Sequence, residues 1–75
     1  MKYFKDDQFV KKFGKRLRDL RKAKQVSQEE LSYRTGFELS QIGRIERGTI
    51  NTSISHAATI AKALNIHITE LFLFD

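Results

Sequence analysis

The sequence contains no cysteine and no proline among its 75 residues. Without cysteine the chain can form neither a disulfide nor a thiolate metal site, and nothing in it points to an oxidising compartment. It has no apolar run near the ~18–20 residues that span a bilayer. Residues 1–7 lack the apolar stretch and the small-residue cleavage site of a signal peptide. We therefore expect a cytoplasmic protein that does not enter a membrane.

A chain of this length predicts a single domain, residues 1–75, in which residues 1–12 form an N-terminal extension and the start of the first helix. The missing proline and the few β-branched runs predict an all-α fold. A domain this small lacks the mass to build and support a deep, water-excluding cleft, so we do not predict an enzyme. His56 and His67 have no further ligands nearby, and no cofactor motif is present, so we predict neither metal nor cofactor.

The net charge of +5 is unevenly distributed along the chain. Residues 1–24 hold ten of the fourteen Lys and Arg against three Asp, whereas residues 63–75 hold two acids and no Lys or Arg. A polyanion such as nucleic acid would dock on the basic end of such a molecule. The alternative is that these cations only keep a long helix soluble, and charge alone leaves both interpretations open.

The first predicted helix, about residues 7–24, is apolar on one side and basic on the other. Asp6 or Asp7 can cap its start. Apolar residues recur at spacings of four, four and three, which predicts one buried stripe: Phe9, Phe13, Leu17 and Leu20. The opposite side carries Lys11, Lys15, Arg18 and Lys22.

End signals predict four further helices. Ser27 and Glu30 form the capping box S-x-x-E at the start of the second helix, and Gly36 can end it in a left-handed conformation. Asn65 is a second residue suited to such an end. The remaining predicted helices are Glu38–Arg47, a helix capped by Ser53 that ends near Leu64, and a short one at Thr69–Phe72.

Residues 28–47 meet the physical demands of a helix-turn-helix. The first helix needs an apolar anchor and a small residue where the second helix crosses it closely. The turn needs a residue that tolerates positive φ, followed by an apolar residue that fills the space beneath it. The second helix needs two inward-facing residues three positions apart. The residues that meet these demands are Leu31, Ser32, Gly36, Phe37, Ile42 and Ile45. An ordinary helical hairpin shares much of this pattern, so the pattern favours DNA binding only modestly.

The surrounding motifs carry a family resemblance. They are LRDLR at residues 17–21, VSQEEL at 26–31, Gly36, IGRIERG at 42–48, IAKALNI at 60–66 and ELF at 70–72. In this order, over about residues 13–72, they resemble the Cro/cI phage-repressor type of helix-turn-helix, the XRE family. The resemblance implies a five-helix, lambda-repressor-like fold. It also implies a repressor of transcription that binds a palindromic operator in double-stranded DNA as a homodimer, with helix 3 in the major groove.

Several residue roles follow from the resemblance. Gln28, at the positive start of helix 2, resembles the residue that grips a DNA phosphate, and Arg47 is a further phosphate contact. Arg44 resembles a base-reading residue, and its guanidinium suits guanine O6 and N7. The other positions that face base edges are Leu39, Ser40 and Gln41.

Glu38 departs from the family pattern, which has Ser or Thr at this position. Its carboxylate can cap helix 3 and accept from a cytosine amino group, but it repels phosphate. Arg21 and Glu46 match a partly buried ion pair that ties helix 1 to helix 3. The alternative interpretation is two unrelated surface charges.

The C-terminal end is unusually apolar. One short helix cannot bury four consecutive apolar residues against so small a domain, so we expect a dimer interface formed by Leu71, Phe72, Leu73 and Phe74. The alternative is that these residues fold back under helix 1 onto Phe9 or Phe13. Near the other end, Tyr3 and Phe4 can pack on the surface between helices 1 and 5, while Lys2 and Lys5 can reach the DNA backbone, and the sequence does not decide between these roles.

Three other functions fit the same fold. One is a controller protein of a restriction–modification operon, and another is an antitoxin that binds a toxin as well as its own promoter. The third is a protein-interaction module that has lost DNA binding, which Glu38 and Leu39 would favour. The controller shares the DNA-binding mechanism of the leading interpretation, whereas the antitoxin and the interaction module require a protein partner, and the residues alone do not separate them.

Overall fold

The computed structural model describes residues 6–75, which form four α-helices and one 3₁₀ helix and contain no strand. The predictions for Lys2, Tyr3, Phe4 and Lys5 lie outside the described residues. No helix within residues 6–75 is long and apolar enough to cross a membrane. The elements are α1 (Asp7–Ala23), α2 (Gln28–Thr35), α3 (Leu39–Arg47), α4 (Ile54–Ala63) and the C-terminal 3₁₀ helix (Ile68–Phe72). The predicted all-helical class is confirmed, and the fifth helix is of the 3₁₀ type.

Side-chain caps start three of the helices. The Asp6 carboxylate accepts from the backbone N–H of Phe9 at 3.0 Å, and Ser53 caps α4 in the same way. Ser27 Oγ accepts from the N–H of Glu30 at 2.9 Å. The second half of the predicted capping box is wrong, because the Glu30 carboxylate accepts instead from Arg34 Nε at 2.9 Å, one helical turn further on.

Left-handed residues end helices or follow their last turns. Gly36 ends α2 at φ 79°, as the sequence predicts, and Gly48 ends α3 at φ 72°. Asn65, after α4, has φ 56°. Gln25, in the link between α1 and α2, has φ 57°, a conformation that costs a residue with a Cβ about 1–2 kcal/mol.

The core draws on every helix and on the α1–α2 link. Its fully buried large side chains are Leu17, Leu31, Ile42, Ile45, Ile60, Leu64 and Leu71. On α1 the buried side differs from the predicted stripe at two of its four positions, since Phe9 is 46% exposed and Leu20 is only half-buried. Val10, which lies outside the stripe, is buried. The reason is that α1 packs on both α3 and the 3₁₀ helix, which turns Phe9 to the edge of the core.

Gly14 lets α1 pack directly on the backbone of α3. It is buried, and a Cβ at this position would lie 2.6 Å from the carbonyl oxygen of Glu46, well inside van der Waals contact. Gly14 lies outside the apolar stripe predicted from the sequence, and its contact with α3 was not predicted. This close packing brings the axes of α1 and α3 near enough for the side chains of Arg21 and Glu46 to lie side by side.

The C-terminal end folds back on α1. The Phe72 ring lies 5.1 Å from that of Phe13, and the Phe74 ring packs edge-on against Phe9 at 5.2 Å between centroids. Leu71 is 0% exposed. It is therefore unavailable to a second subunit, and its assignment to a dimer interface is wrong because the 3₁₀ helix turns it into the chain's own core.

Two cations of α1 hold this end in place. Arg16 Nε donates to the carbonyl oxygen of Glu70 at 2.8 Å, and its NH2 group donates to the Glu70 carboxylate at 3.3 Å. Lys12 Nζ donates to the backbone oxygen of Asp75. Phe74 thus follows the alternative interpretation, in which the last residues pack under α1, whereas Phe72 packs on α1 and remains 42% exposed.

Candidate nucleic-acid interface

The turn between α2 and α3 is held by short polar contacts and one apolar plug. Ser32 Oγ donates to the carbonyl oxygen of Phe37 at 2.5 Å, and Thr35 Oγ1 accepts from the N–H of Phe37 at 3.1 Å. The Phe37 ring packs against the core and meets His56 edge-on at 4.7 Å. Since Gly36 reverses the chain just before, these contacts fix the angle at which α3 leaves α2.

The helix α3 divides into a buried side and an exposed side. Ile42 and Ile45 are fully buried on the core side. Within residues 6–75, the Arg44 guanidinium is exposed and has neither a hydrogen bond nor an ion pair. Leu39, Ser40 and Arg47 are also exposed, whereas Gln41 is half-buried. The predicted base-facing residues therefore lie on or beside one free surface of α3.

Glu38 occupies the cap position of α3 without acting as a side-chain cap. Its backbone is extended, with φ −67° and ψ 146°, but its carboxylate makes no capping hydrogen bond. The predicted cap is wrong for a physical reason: the residues that cap well carry their oxygen on a shorter side chain, as Ser, Thr, Asp and Asn do. The Glu38 side chain is exposed beside the first turn of α3, where it remains open to an external donor.

Arg21 and Glu46 form a buried ion pair between α1 and α3. Arg21 Nε donates to Glu46 at 2.6 Å, and its NH2 group donates to the other carboxylate oxygen at 3.0 Å, so the contact is bidentate. The third donor group of Arg21 binds the carbonyl oxygen of Val26 at 2.9 Å. Hydrogen bonding to Glu46 raises the pKa of Arg21 above its usual value, although burial acts in the opposite direction. The ion pair expected from the family resemblance is therefore present, and Arg21 and Glu46 are not two unrelated surface charges.

Gln28 is joined to the same network. Its side-chain amide donates to Glu46 Oε1 at 2.9 Å, which fixes the amide at the start of α2. The family resemblance predicts that this amide grips a phosphate, but it does not predict the hydrogen bond to Glu46. An NH₂ group has two N–H donors, and one of them remains for an external acceptor.

A shallow depression opens beside this network, between α1, α2 and α3. It is lined by Arg18, Arg21, Lys22, Gln28, Gly43, Glu46 and Arg47. Arg47 was predicted as a phosphate contact from the sequence. Arg18 and Lys22 were not, although their spacing of four places both on the basic side of α1.

The chain is similar to known regulators in both sequence and fold. A family model described as helix-turn-helix, HTH_3, matches residues 17–71. An uncharacterised HTH-type transcriptional regulator of Archaeoglobus fulgidus is 37% identical over 60 residues, which cover 80% of this chain and 86% of that protein. Another, from Sinorhizobium fredii, is 42% identical over 52 residues, or 69% of this chain, and the chain spans only 26% of its length.

A solved structure agrees with these relatives. The restriction-modification controller protein C.AhdI from Aeromonas hydrophila superposes with a TM-score of 0.82 at 46% sequence identity, covering 84% of this chain and 96% of that one. The family resemblance read from the sequence is thereby confirmed. Since the family match covers most of the chain and the two helices and the turn have the required geometry, the chain belongs to the XRE-type helix-turn-helix family of DNA-binding transcription regulators.

Proposed function

We propose that this protein is a sequence-specific repressor that binds a palindromic operator as a homodimer, with α3 in the major groove. The observation that carries this proposal is the exposed side of α3, centred on an unpartnered Arg44 and backed by Ile42 and Ile45 in the core. A charged guanidinium on a rigid helix is the usual group for guanine recognition. Leu39 suits a thymine methyl group, and the polar contacts would come from Glu38, Ser40 and Gln41.

The start of α2 supplies a phosphate contact. The free N–H groups and the dipole at this end favour an anion, and the Gln28 amide is held beside them by Glu46. Such a contact fixes the register of the protein on the duplex and carries no sequence information. It complements the base contacts made by α3.

The homodimer would form through the apolar surface that the C-terminal end leaves exposed. Leu73 is 59% exposed, Phe72 is 42% exposed, and Phe9 lies beside Phe72. Three neighbouring apolar side chains on a small domain mark an interaction surface. A two-fold dimer places its recognition helices about 34–36 Å apart, which matches a palindrome with half-sites one turn apart.

Among the variants of this function, a restriction–modification controller is favoured over an antitoxin. The support is the 46% identity to C.AhdI, which covers nearly all of that controller's chain. A controller of this kind would bind DNA upstream of its own gene, beside genes for a methyltransferase and a nuclease. A neighbouring toxin gene, and a stable complex between this chain and its product, would favour the antitoxin instead.

Selection of bound duplexes from a random DNA pool tests the base-reading role of α3. We expect a palindromic motif for the wild type and, for Arg44→Ala, a loss of discrimination worth about 1–3 kcal/mol at one base pair of each half-site. Arg44→Lys is the matched control, because it keeps the charge and loses the two-pronged geometry. Arg44→Lys should bind random DNA as tightly as the wild type does and still lose the base preference at that base pair. An Arg44→Ala motif identical to that of the wild type refutes this role.

Sedimentation velocity tests the proposed dimer surface. Leu73→Asp places a charge in the surface and should shift the protein towards monomer. The variant should bind the palindrome less tightly than the wild type does, and with little preference for the palindrome over a single half-site. Tyr33→Asp is the control, since Tyr33 is 85% exposed on α2, outside this surface. A dimer that persists in Leu73→Asp would exclude this surface.

A further inference from the structure

We propose that α1 completes the phosphate contact at the start of α2, with Arg18 and Lys22 binding the same backbone phosphate as Gln28 and Arg47. This inference rests on the proposed DNA-binding function and adds residues from outside the helix-turn-helix to its interface. The contact lies in the depression between α1, α2 and α3. Its ligand is a backbone phosphate of duplex DNA.

The position of the depression links it to the recognition surface. Arg47 and Gly43, which belong to α3, line the depression together with Gln28, the first residue of α2. A phosphate seated there would lie beside the helix whose outer side carries Arg44. The depression measures about 260 Å³, which leaves room for a phosphate group.

The charges around the depression favour an anion. Arg18, Lys22 and Arg47 contribute three positive charges, and the only carboxylate among the lining residues, Glu46, is already neutralised by Arg21 in a bidentate pair. Glu29 stands near the start of α2 as an opposing charge, but it does not line the depression. The net excess of cations would attract phosphate.

Several cations of α1 already have partners within the chain, and Lys15 pairs with Asp19 at 3.9 Å. Lys12 and Arg16 hold the C-terminal end of the chain, and Arg21 holds Glu46. Within residues 6–75, neither Arg18 nor Lys22 has a hydrogen bond or an ion pair, although both have exposed side chains on the same side of α1. Arg18 and Lys22 are therefore available for a ligand, and unlike Lys11 and Lys15 they line the depression.

The salt dependence of DNA binding tests this contact. The affinity of the full chain is measured between 50 and 200 mM salt for a duplex selected from a random pool and for a scrambled duplex of equal length. We expect R18Q/K22Q to reduce the slope of log K against log salt by about 0.9 for each bound copy, since the variant loses one phosphate contact. The affinity ratio of wild type to variant should then shrink about 3.5-fold for each bound copy over this range.

The control variant K24Q/K62Q removes the same charge elsewhere. Lys24 lies on the other flank of α1, beside Asn65 and Glu70, and Lys62 belongs to α4. The control should keep the wild-type slope. R18Q/K22Q should keep the wild-type base preference, because phosphate contacts carry no sequence information. Thermal unfolding of both variants checks that the fold is intact.

The outcomes separate this inference from the proposed function. If the wild type prefers the selected duplex and R18Q/K22Q keeps its slope, the α1 contact is refuted and the regulator function stands. An equal loss of slope in K24Q/K62Q also refutes it, since diffuse charge would then account for the effect. A wild type that binds selected and scrambled duplexes equally refutes the proposed function itself.

Discussion

The buried pair of Arg21 and Glu46 makes a double-mutant cycle informative. Both residues are only 8% exposed, and removal of one partner leaves the other as a buried, unpaired charge. For such a loss the expected cost is about 3–5 kcal/mol. A domain of this size has a total unfolding free energy of about 4–11 kcal/mol, so Glu46→Leu or Arg21→Met alone should remove much of it. A loss of 3 kcal/mol lowers Tm by about 12–24 °C.

The double variant Arg21→Met, Glu46→Leu should regain most of the lost stability. Apolar side chains of similar volume replace a buried ion pair at little cost, and all four residue types are acceptable in helices. One loss remains, because the carbonyl oxygen of Val26 no longer receives the hydrogen bond from Arg21. We therefore expect the double variant to unfold within about 1–2 kcal/mol of the wild type, with a coupling energy of at least about 3 kcal/mol.

Urea unfolding followed by circular dichroism measures all four corners of the cycle. If a single variant is too unstable to fold, Glu46→Gln gives a milder version of the same comparison. Additive losses in the double variant, or single losses below about 1 kcal/mol, would refute the reasoning. The double variant should still bind DNA less tightly, because Gln28 loses the carboxylate that holds its amide. Full affinity in the double variant would show that the pair does not position this phosphate contact.

Three further predictions concern the helices. Gly14→Ala should lower the free energy of unfolding in urea by more than about 2 kcal/mol, because the added Cβ meets the backbone of α3. A urea midpoint equal to that of the wild type would contradict the close packing. Gly43→Ala should stabilise by about 0.5–1 kcal/mol in the same assay, because only the flexible end of Arg47 must move; a loss would show that α3 needs glycine there. Ser27→Ala should cost about 1 kcal/mol through the lost cap of α2, whereas Ser27→Asp, which can still cap, should not.

Local signals in the sequence were sufficient for the order of the helices and for most of their ends. Asp6, Ser27 and Ser53 cap helices because each carries an acceptor that reaches an N–H group three residues on. Gly36 ends α2 because it alone of the nearby residues adopts positive φ without strain. These interactions join residues close in sequence, so the spacing of residue types is enough to predict them.

The family pattern also predicted one contact between residues that are far apart in the sequence. Arg21 and Glu46 are 25 residues apart, and only the resemblance linked them before the structure was known. The same pattern gave the exposed side of α3 with Arg44 at its centre. It did not give the bond from Gln28 to Glu46, nor the place of Arg18 and Lys22 beside Arg47, because these depend on how α1 and α3 meet.

The sequence by itself determined which segments are helical, where they start and stop, and which pair of helices forms the helix-turn-helix. The tertiary structure decided that Phe9 lies at the edge of the core, that Leu71 is buried, and that Phe72 and Phe74 cover α1. Helix ends depend on hydrogen bonds over three or four residues, whereas the side that a helix buries depends on the axes and side-chain volumes of its neighbours. Gly14 shows the difference: it weakens helix propensity locally, and only the packed fold shows that α3 lies against it.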